Sequence, residues 1–181
     1  MKKYLMVIFF VVFPSIQIAL AEEAYFAGGC FWCMESDFEK LAGVTNVISG
    51  FTGGTLTNPT YSRSHEGHYE AVEINYDPKI VSYQDLLDYY WVNIDPFDAS
   101  GQFCDKGPSY LSAIFVSTPE ERRLAEKSKQ KVIEMFPDHK VVIPVLDVST
   151  FYPIKGDESY HQDFYKTIKL LHISRTQRHC L

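Results

Sequence analysis

The turn at Gly28-Gly29-Cys30 is the feature that most constrains the fold of this chain. A short apolar strand around Ala24 to Ala27 leads into the two glycines, and Cys30 then opens a stretch in which apolar residues recur at helical spacing. A strand that passes directly into a helix places the cysteine near a helix N-terminus. The dipole and unpaired N–H groups there stabilise a thiolate. The turn therefore predicts a layered fold of strands and helices with a reactive thiol at Cys30.

Strand and helix patterns alternate along the rest of the chain, without an internal repeat or a low-complexity linker. Further strands are predicted over 44–51, 68–76, 110–116 and 141–148, the last at a sheet edge because Pro144 cannot donate to a ladder. Helices are predicted from the N-caps Ser82 and Thr118, and over 158–171. The alternation predicts an α/β (α+β) fold: a single two-layer sandwich with a mixed β-sheet and flanking helices.

Residues 1–21 have the pattern of a secretory signal peptide. Two lysines precede an apolar run over 4–18, and Ala19-Leu20-Ala21 offers a small-x-small cleavage site. A retained membrane anchor is the alternative, but the run is shorter than the roughly 20 residues that a spanning helix needs. We expect cleavage after Ala21, a single domain over 22–181, a periplasmic or secreted location, and no stable membrane association.

The charge and the cysteines limit the possible functions. The net charge of −6 would become −8 once Lys2 and Lys3 are removed, so nucleic acid is an unlikely partner. The remaining 160 residues, from a chain that is 46% hydrophobic, need no disulfide staples. Redox chemistry is therefore the more economical use of the four cysteines.

Glu70 is a candidate general acid. Side chains alternate along a strand, and Glu70 shares parity with the apolar Val72 and Ile74, so it should point toward the core. Burial raises the pKa of a carboxyl group and leaves it protonated near neutral pH. A strand-end glutamate that bends into solvent, or one that pairs with a lysine, remains open from periodicity alone.

Four aromatic residues are unexceptional when each is taken alone. Phe31 and Trp32 follow the cysteine and could form an apolar wall beside the thiol, but aromatics in a first helical turn ordinarily belong to the core. Tyr61 and Tyr110 are two of 12 tyrosines, most of which bury the ring and keep the hydroxyl at the surface. Only a wider pattern selects these residues.

Several short segments supply such a pattern, in order along nearly the whole mature chain up to about Tyr165. They are Gly29-Cys30-Phe31-Trp32, Gly53-Gly54, Asn58-Pro59-Thr60-Tyr61, Gly67-His68-Tyr69-Glu70-Ala71-Val72, Tyr76-Asp77-Pro78, Asp95-Pro96, Gly101-Gln102-Phe103-Cys104-Asp105, Tyr110, Ser112-Ala113-Ile114, Phe151-Tyr152 and Tyr160-His161-Gln162. The chain resembles the A-type peptide methionine sulfoxide reductases, whose signature is Gly-Cys-Phe-Trp. The resemblance implies a ferredoxin-like two-layer fold.

The resemblance also implies a mechanism. Cys30 would attack the sulfoxide sulfur, Glu70 would protonate the departing oxygen, and the Tyr61 and Tyr110 hydroxyls would hold that oxygen. Cys30 would be left as a sulfenic acid, which a second cysteine converts to a disulfide. The product is methionine, so the reaction repairs oxidative damage.

The same resemblance implies the partners of the site. Phe31 and Trp32 would cradle the substrate's methyl group, and Asp105 would help to bind its backbone amide. The substrate would be the S epimer of methionine sulfoxide, free or in oxidised proteins. No bound cofactor and no metal are expected, and an external thioredoxin-like dithiol would regenerate the enzyme.

The identity of the resolving cysteine is open between Cys33 and Cys180. Positions 30 and 33 share a helix face, and Cys-x-x-Cys pairs commonly form a disulfide, which favours Cys33. Many family members carry a resolving cysteine in a glycine-containing tail, whereas the tail here has no glycine and matches poorly. Cys104 has neighbours that suggest a structural role, and it stays unassigned.

Two other functions fit parts of the sequence. Cys30-Phe31-Trp32-Cys33 is also the pattern of an exported thioredoxin-like disulfide oxidoreductase, although the flanking glycines and the internal tryptophan disagree with it. A secreted binding module with structural disulfides or a zinc site is the non-enzymatic alternative. One Cys-x-x-Cys without a second matched pair is weak evidence for zinc.

Overall fold

The computed structural model describes residues 22–169. The predicted signal peptide, residues 1–21, lies outside the described residues, as do Cys180 and the end of the last predicted helix. Within the described range, no helix is both long and apolar enough to cross a membrane.

The described residues form eight strands and four helices, with two short 3₁₀ turns over Pro108–Tyr110 and Gly156–His161. In chain order the elements are β1 (Glu22–Gly28), α1 (Phe31–Phe38), β2 (Val44–Thr52), β3 (Tyr69–Tyr76), α2 (Tyr83–Val92), β4 (Gly101–Gln102), β5 (Asp105–Lys106), β6 (Ser112–Val116), α3 (Pro119–Met135), β7 (Val145–Asp147), β8 (Tyr152–Pro153) and α4 (Phe164–Lys169).

Six strands form one mixed sheet in the order β7-β6-β1-β3-β2-β8. Neighbouring strands are antiparallel except β6 and β7, which run parallel. β7 lies at the edge, as predicted, but it is shorter than expected and begins only after Pro144. Strands β4 and β5 form a separate hairpin. The mixed sheet and flanking helices confirm the predicted fold class.

The core follows the alternation of side chains along the strands. Phe26, Ile74 and Ile114 share the large cluster that packs against the helices. Their neighbours of opposite parity, such as Ala71 and Ala113, belong to a smaller cluster on the other face. Burial of Phe and Ile side chains contributes about 1.5–3 kcal/mol each, so the helix-covered face supplies most of the hydrophobic stabilisation.

Helix boundaries agree with the capping signals in two cases and not in the third. Ser82 caps α2 through a full capping box with Asp85, and the Thr118 side chain accepts a hydrogen bond from the Glu121 amide at the start of α3. The helix predicted over 158–171 is interrupted. Asp163 has a positive φ of 57°, so a 3₁₀ turn precedes it and α4 follows it.

The topology brings three strand ends to one edge of the sheet. Because β1 is antiparallel to both β3 and β6, its C-terminal Gly28 lies beside Ser112, at the start of β6, and near Glu70, at the start of β3. Gly29 then turns the chain into α1 with a φ of 85°. A β-carbon on Gly29 would lie 2.6 Å from the Gln102 β-carbon.

Gly29→Ala should therefore destabilise the fold more than the same replacement at a glycine with a similar φ and open space around its α-carbon. Gly67 has a similar φ of 78°, but a β-carbon there would meet nothing within 4 Å. We expect Gly67→Ala to lower the free energy of unfolding by about 1–2 kcal/mol, and Gly29→Ala by about 3–5 kcal/mol, because overpacking adds to backbone strain. Urea unfolding of both variants measures the difference, and equal losses would contradict the steric argument.

Candidate active site

Cys30 is the N-cap residue of α1, at the turn that the sequence identified. Its thiol and that of Cys33 carry no disulfide and hydrogen-bond to each other, and the Cys33 amide donates to the Cys30 carbonyl at 3.1 Å. The Cys33 hydrogen bond and burial raise the pKa of Cys30, and the same hydrogen bond lowers the pKa of Cys33. The helix N-terminus and the hydrogen bond to Cys33 thus act on the Cys30 thiol in opposite directions, and its reactivity as a nucleophile stays a prediction.

Glu70 is buried, with only 1% of its surface exposed, as strand parity predicted. Its Oε2 accepts a hydrogen bond from the Phe31 amide at 3.1 Å, which joins β3 to the first residue of α1. Oε1 is buried and has no hydrogen-bond partner among the described residues. Burial raises the pKa of Glu70 to about 8, so the carboxyl group is mostly protonated at neutral pH.

Two tyrosine hydroxyls lie close to this pair. Tyr61 comes from the loop between β2 and β3, Tyr110 from the turn before β6, and the Tyr110 hydroxyl lies within hydrogen-bonding reach of the Tyr61 hydroxyl. Burial, followed by the negative charge of Glu70, raises the pKa of both. Both hydroxyls therefore remain protonated and able to donate. The structure brings these tyrosines together with Cys30 and Glu70.

An aromatic cluster covers the space beside the thiol. Phe31 is fully buried and stacks on Tyr61, with ring centroids 6.0 Å apart, and Trp32 is half-buried and stacks on Phe164 at 3.6 Å. The Trp32 indole N–H donates to Nδ1 of His161 at 3.1 Å, and the His161 ring lies 4.0 Å from the Tyr61 ring. These rings form an apolar wall next to the polar groups.

Asp105 lies close to the Cys30–Cys33 pair. It lines a cavity of about 250 Å³ together with both cysteines. Burial raises its pKa. The predicted substrate-binding aspartate is thus close to the thiols, on the β4–β5 hairpin.

Residues 156–169, which we name the covering segment, complete the site from the far end of the described chain. The Gln162 side chain accepts from the Ser49 amide at 2.9 Å and donates to the Val47 carbonyl at 2.8 Å, as an added strand would. The Glu158 carboxylate accepts from the Tyr61 amide at 2.9 Å. The covering segment therefore fixes both the sheet edge and the loop that carries Tyr61.

The buried Glu35, on α1, holds the covering segment to the domain. Its carboxylate accepts from the Ser49 hydroxyl and from the Asp163 amide, both at 2.5 Å. Burial raises the pKa of Glu35 to about 7. The amide of Asp163 is available for this contact because its positive φ breaks the helix there.

The remaining cysteines differ in their surroundings. Cys33 Sγ lies 3.4 Å from the Tyr165 hydroxyl, at the junction of α1 and α4. Cys104 is exposed and disulfide-bonded, whereas Cys30 and Cys33 carry no disulfide. Cys180, the second predicted resolving cysteine, lies outside the described residues.

Potential metal ligands converge at one place in the described part of the chain. Glu35, Glu39 and Asp163 have carboxylate oxygens within 4.8 Å of one another. The Lys166 ammonium group bonds to two of them, Glu39 and Asp163. An internal cation thus already neutralises the cluster.

Sequence reasoning missed the residues that hold the site together. His161 was read as a surface or packing residue, and Tyr165 and Glu35 had no assigned role. Gln102 belonged to a matching segment, yet its function is structural: its side-chain amide bonds to both the amide and the carbonyl of Asp95, at 2.7 and 2.8 Å. The Tyr160-His161-Gln162 segment was the one available signal for the covering segment.

The arrangement suits the reduction of a small polar group with an apolar flank. A nucleophilic thiol, a protonated carboxyl group and two hydroxyl donors surround one point, and aromatic rings line the side next to it. A neighbouring thiol can then form a disulfide with the first.

Comparisons with known proteins agree with this chemistry. The family model of peptide methionine sulfoxide reductase matches residues 22–180. Peptide methionine sulfoxide reductase MsrA of Limosilactobacillus reuteri (strain DSM 20016) is 49% identical over 150 residues, which cover 80% of this chain and 84% of that protein.

Solved structures have the same fold. Methionine sulfoxide reductase A of Corynebacterium diphtheriae has a TM-score of 0.70 at 27% identity, over 86% of this chain and 78% of that one. Mxr1 from Saccharomyces cerevisiae, in complex with Trx2, has a TM-score of 0.54 at 18% identity, over 73% of this chain and 79% of that one. The family model matches almost the whole chain beyond residue 21, and the Limosilactobacillus reuteri relative is identical at about half of the aligned positions. The chain therefore belongs to the peptide methionine sulfoxide reductase family.

Proposed function

We propose that this methionine sulfoxide reductase uses Cys30 as its nucleophile and Glu70 as its general acid. The observation that carries the proposal is the geometry of Glu70. One of its oxygens is fixed by the first amide of α1, and the other is buried without a hydrogen-bond partner among the described residues, while the carboxyl group lies close enough to the Cys30 thiol to raise its pKa. A protonated carboxyl group in this position has one acceptor that can receive its proton, which is an oxygen of the substrate.

The first step transfers oxygen from the substrate to the enzyme. The Cys30 sulfur attacks the sulfoxide sulfur while Glu70 protonates the sulfoxide oxygen, and the Tyr61 and Tyr110 hydroxyls donate hydrogen bonds to that oxygen. The sulfur–oxygen bond of the substrate breaks. The hydroxyl group passes to the Cys30 sulfur, the bond between the two sulfurs breaks, and methionine leaves, so that Cys30 is oxidised to a sulfenic acid as the methionine sulfur is reduced.

The second step forms a disulfide between Cys30 and Cys33. The two sulfurs are within hydrogen-bonding distance before Cys30 is oxidised, so the attacking sulfur of Cys33 is already close to the sulfenic sulfur. Water leaves as the disulfide forms. Cys180 is the alternative resolving residue.

The aromatic cluster and Asp105 account for substrate recognition. Phe31 and Trp32 contact the methyl group of methionine sulfoxide, and Asp105 accepts a hydrogen bond from its backbone amide. A fixed apolar wall opposite fixed oxygen donors distinguishes the two epimers at sulfur, and the S epimer is the one used. Oxidised proteins and free methionine sulfoxide are the substrates.

Regeneration of the enzyme and its location complete the proposal. An external dithiol of thioredoxin type reduces the Cys30–Cys33 disulfide, as the complex of Mxr1 with Trx2 suggests. Residues 1–21 direct export and are removed after Ala21, so the reaction takes place in the periplasm or outside the cell.

A thioredoxin-like oxidoreductase is the rival use of the same two cysteines, and the family comparison does not favour it. An insulin-reduction assay separates the two activities, because a thioredoxin-like protein reduces insulin and a sulfoxide reductase is nearly inert.

The nucleophile can be tested together with the stereochemistry. We expect the mature protein to consume only the S epimer of racemic methionine sulfoxide in the presence of dithiothreitol, and Cys30→Ser to consume neither epimer. Chiral chromatography follows each epimer. Consumption of the S epimer by Cys30→Ser would refute the assignment of the nucleophile.

Glu70→Gln should abolish the decline of the methionine-formation rate at alkaline pH. Because the pKa of Glu70 is about 8, the acid form is present below that pH and is lost above it. The single-turnover rate of methionine formation should therefore decline as the pH rises through about 8. In Glu70→Gln we expect a rate about 100- to 10,000-fold lower at neutral pH, without this decline.

Glu73→Gln is the matched control for this experiment. Glu73 lies on the same strand with the opposite parity, where its carboxylate accepts from the Asn75 side chain at 3.1 Å. This variant should keep both the rate and the decline. An unchanged pH profile in Glu70→Gln would show that another group supplies the proton.

Cys33→Ser should separate the two chemical steps. Without reductant, the reduced variant should release one equivalent of methionine and then retain a Cys30 sulfenic acid, because the resolving thiol is missing. Chemical trapping of the sulfenic acid and peptide mapping measure the outcome. A Cys30–Cys180 peptide in the unmodified protein would reassign the resolving role to Cys180.

A further inference from the structure

We infer that Tyr165 is a positioning residue for the resolving thiol, because its hydroxyl donates a hydrogen bond that holds Cys33 ready to attack oxidised Cys30. This inference rests on the proposed function and assigns a role to a residue outside the catalytic set. Tyr165 acts only in the disulfide-forming step.

The geometry places the Tyr165 hydroxyl on the resolving sulfur. The distance from the hydroxyl oxygen to Cys33 Sγ is 3.4 Å, and only 6% of the tyrosine surface is exposed. A sulfur atom accepts hydrogen bonds at longer distances than oxygen does, so this contact is a hydrogen bond. A hydrogen bond to an anion is roughly twice as strong as one between neutral groups.

The tyrosine is held in place by contacts on both sides. Before it, the Asp163 amide bonds to the buried Glu35, and Phe164 stacks on Trp32. After it, the Lys166 ammonium bonds to Glu39 on α1. These contacts fix the position of Tyr165 before the reaction, so little conformational entropy is lost when its hydroxyl bonds to Cys33.

The charges around Cys33 explain why a donor is needed there. Asp37 and Asp105 are both acidic and both raise the pKa of the thiol, as does burial. The groups that oppose them are the Cys30 thiol and the Tyr165 hydroxyl. Once Cys30 has been oxidised, its thiol no longer donates in the same way, whereas the Tyr165 hydroxyl still lies within hydrogen-bonding distance of the Cys33 sulfur and can stabilise its thiolate.

The Tyr165 hydroxyl keeps its proton and can donate a hydrogen bond to Cys33 during the whole disulfide-forming step. Burial and the adjacent thiols raise its own pKa, so it keeps its proton over the working pH range. The step that it assists is balanced as follows. The Cys33 thiolate attacks the sulfenic sulfur of Cys30, the sulfur–oxygen bond breaks, and the hydroxide takes up a proton and leaves as water. Cys33 is oxidised and the Cys30 sulfur is reduced, so no further oxidant is required.

The test uses the mature protein, reduced and mixed with one equivalent of methionine S-sulfoxide without reductant. Quenched samples give two rates in each variant, methionine release and disulfide formation, over a range of pH. The variants are Tyr165→Phe, which removes only the hydroxyl, and Tyr25→Phe as a matched control. Tyr25 also loses one hydrogen bond, to Glu23 at 2.8 Å, but it lies on the opposite face of the sheet.

We expect Tyr165→Phe to release methionine at the normal rate and to form the disulfide about tenfold more slowly at neutral pH, as a lost hydrogen bond to an anion predicts. The pH profile of disulfide formation should move up by about one unit, so that the rate recovers at high pH. Tyr25→Phe should match the unmodified protein in both steps.

Three results would overturn the inference. They are a normal disulfide rate in Tyr165→Phe, a slower rate with an unmoved pH profile, and an equal loss in both steps. Cys33→Ser, measured in parallel, separates this failure from that of the proposed function. If Cys33→Ser still forms a Cys30 disulfide, the resolving assignment fails, and the inference with it. If Cys33→Ser is arrested and Tyr165→Phe is normal, only the inference fails.

Discussion

The hydrogen bond from the Phe31 amide to the Glu70 carboxyl group is the contact on which the site depends. The first amides of a helix have no partner within the helix, and here one of them holds a side chain from the adjacent strand. Because Phe31 follows Cys30 directly, the bond sets the distance between nucleophile and acid. It also leaves the second oxygen of Glu70 unpaired, at a cost in stability that the apolar core has to offset.

The site is assembled from both ends of the described chain. The N-terminal turn contributes the two thiols, and the covering segment contributes the rings of His161 and Phe164 and the hydroxyl of Tyr165. Buried polar side chains make the connection, since Gln162 satisfies the free edge of β2 and Glu35 receives the amide of Asp163. The groups that join the segments are thus distinct from the groups that carry out the chemistry.

The sequence predicted structure correctly where neighbouring residues carry the signal. Strand parity predicted that Glu70 is buried, and the capping residues Ser82 and Thr118 marked the starts of α2 and α3. It was insufficient wherever contacts join distant positions. Trp32 and His161 are 129 residues apart, and nothing near either one indicates the other. The prediction of a continuous helix through Asp163 was wrong for the same reason. The break in the helix is stabilised by a hydrogen bond from the Asp163 amide to Glu35, which is distant in sequence.

Charge placement at the thiol pair was likewise beyond local reasoning. A helix N-terminus favours a thiolate at Cys30, whereas the hydrogen bond to Cys33 and burial raise the pKa of the same thiol. The dipole contributes about 0.3–1 kcal/mol at an exposed terminus, which is less than the penalty for burying a charge.

The position of the covering segment has a consequence for the order of folding. Synthesis proceeds from the N-terminus, so the strands and α1 exist before residues 156–169 are made. The segment docks last, on a surface that is already formed, and its contacts are a few hydrogen bonds and stacked rings. Such a unit opens at a lower free energy than the whole domain. A local opening of the segment therefore releases the contact of Tyr165 with Cys33, while the sheet that holds the thiols stays intact.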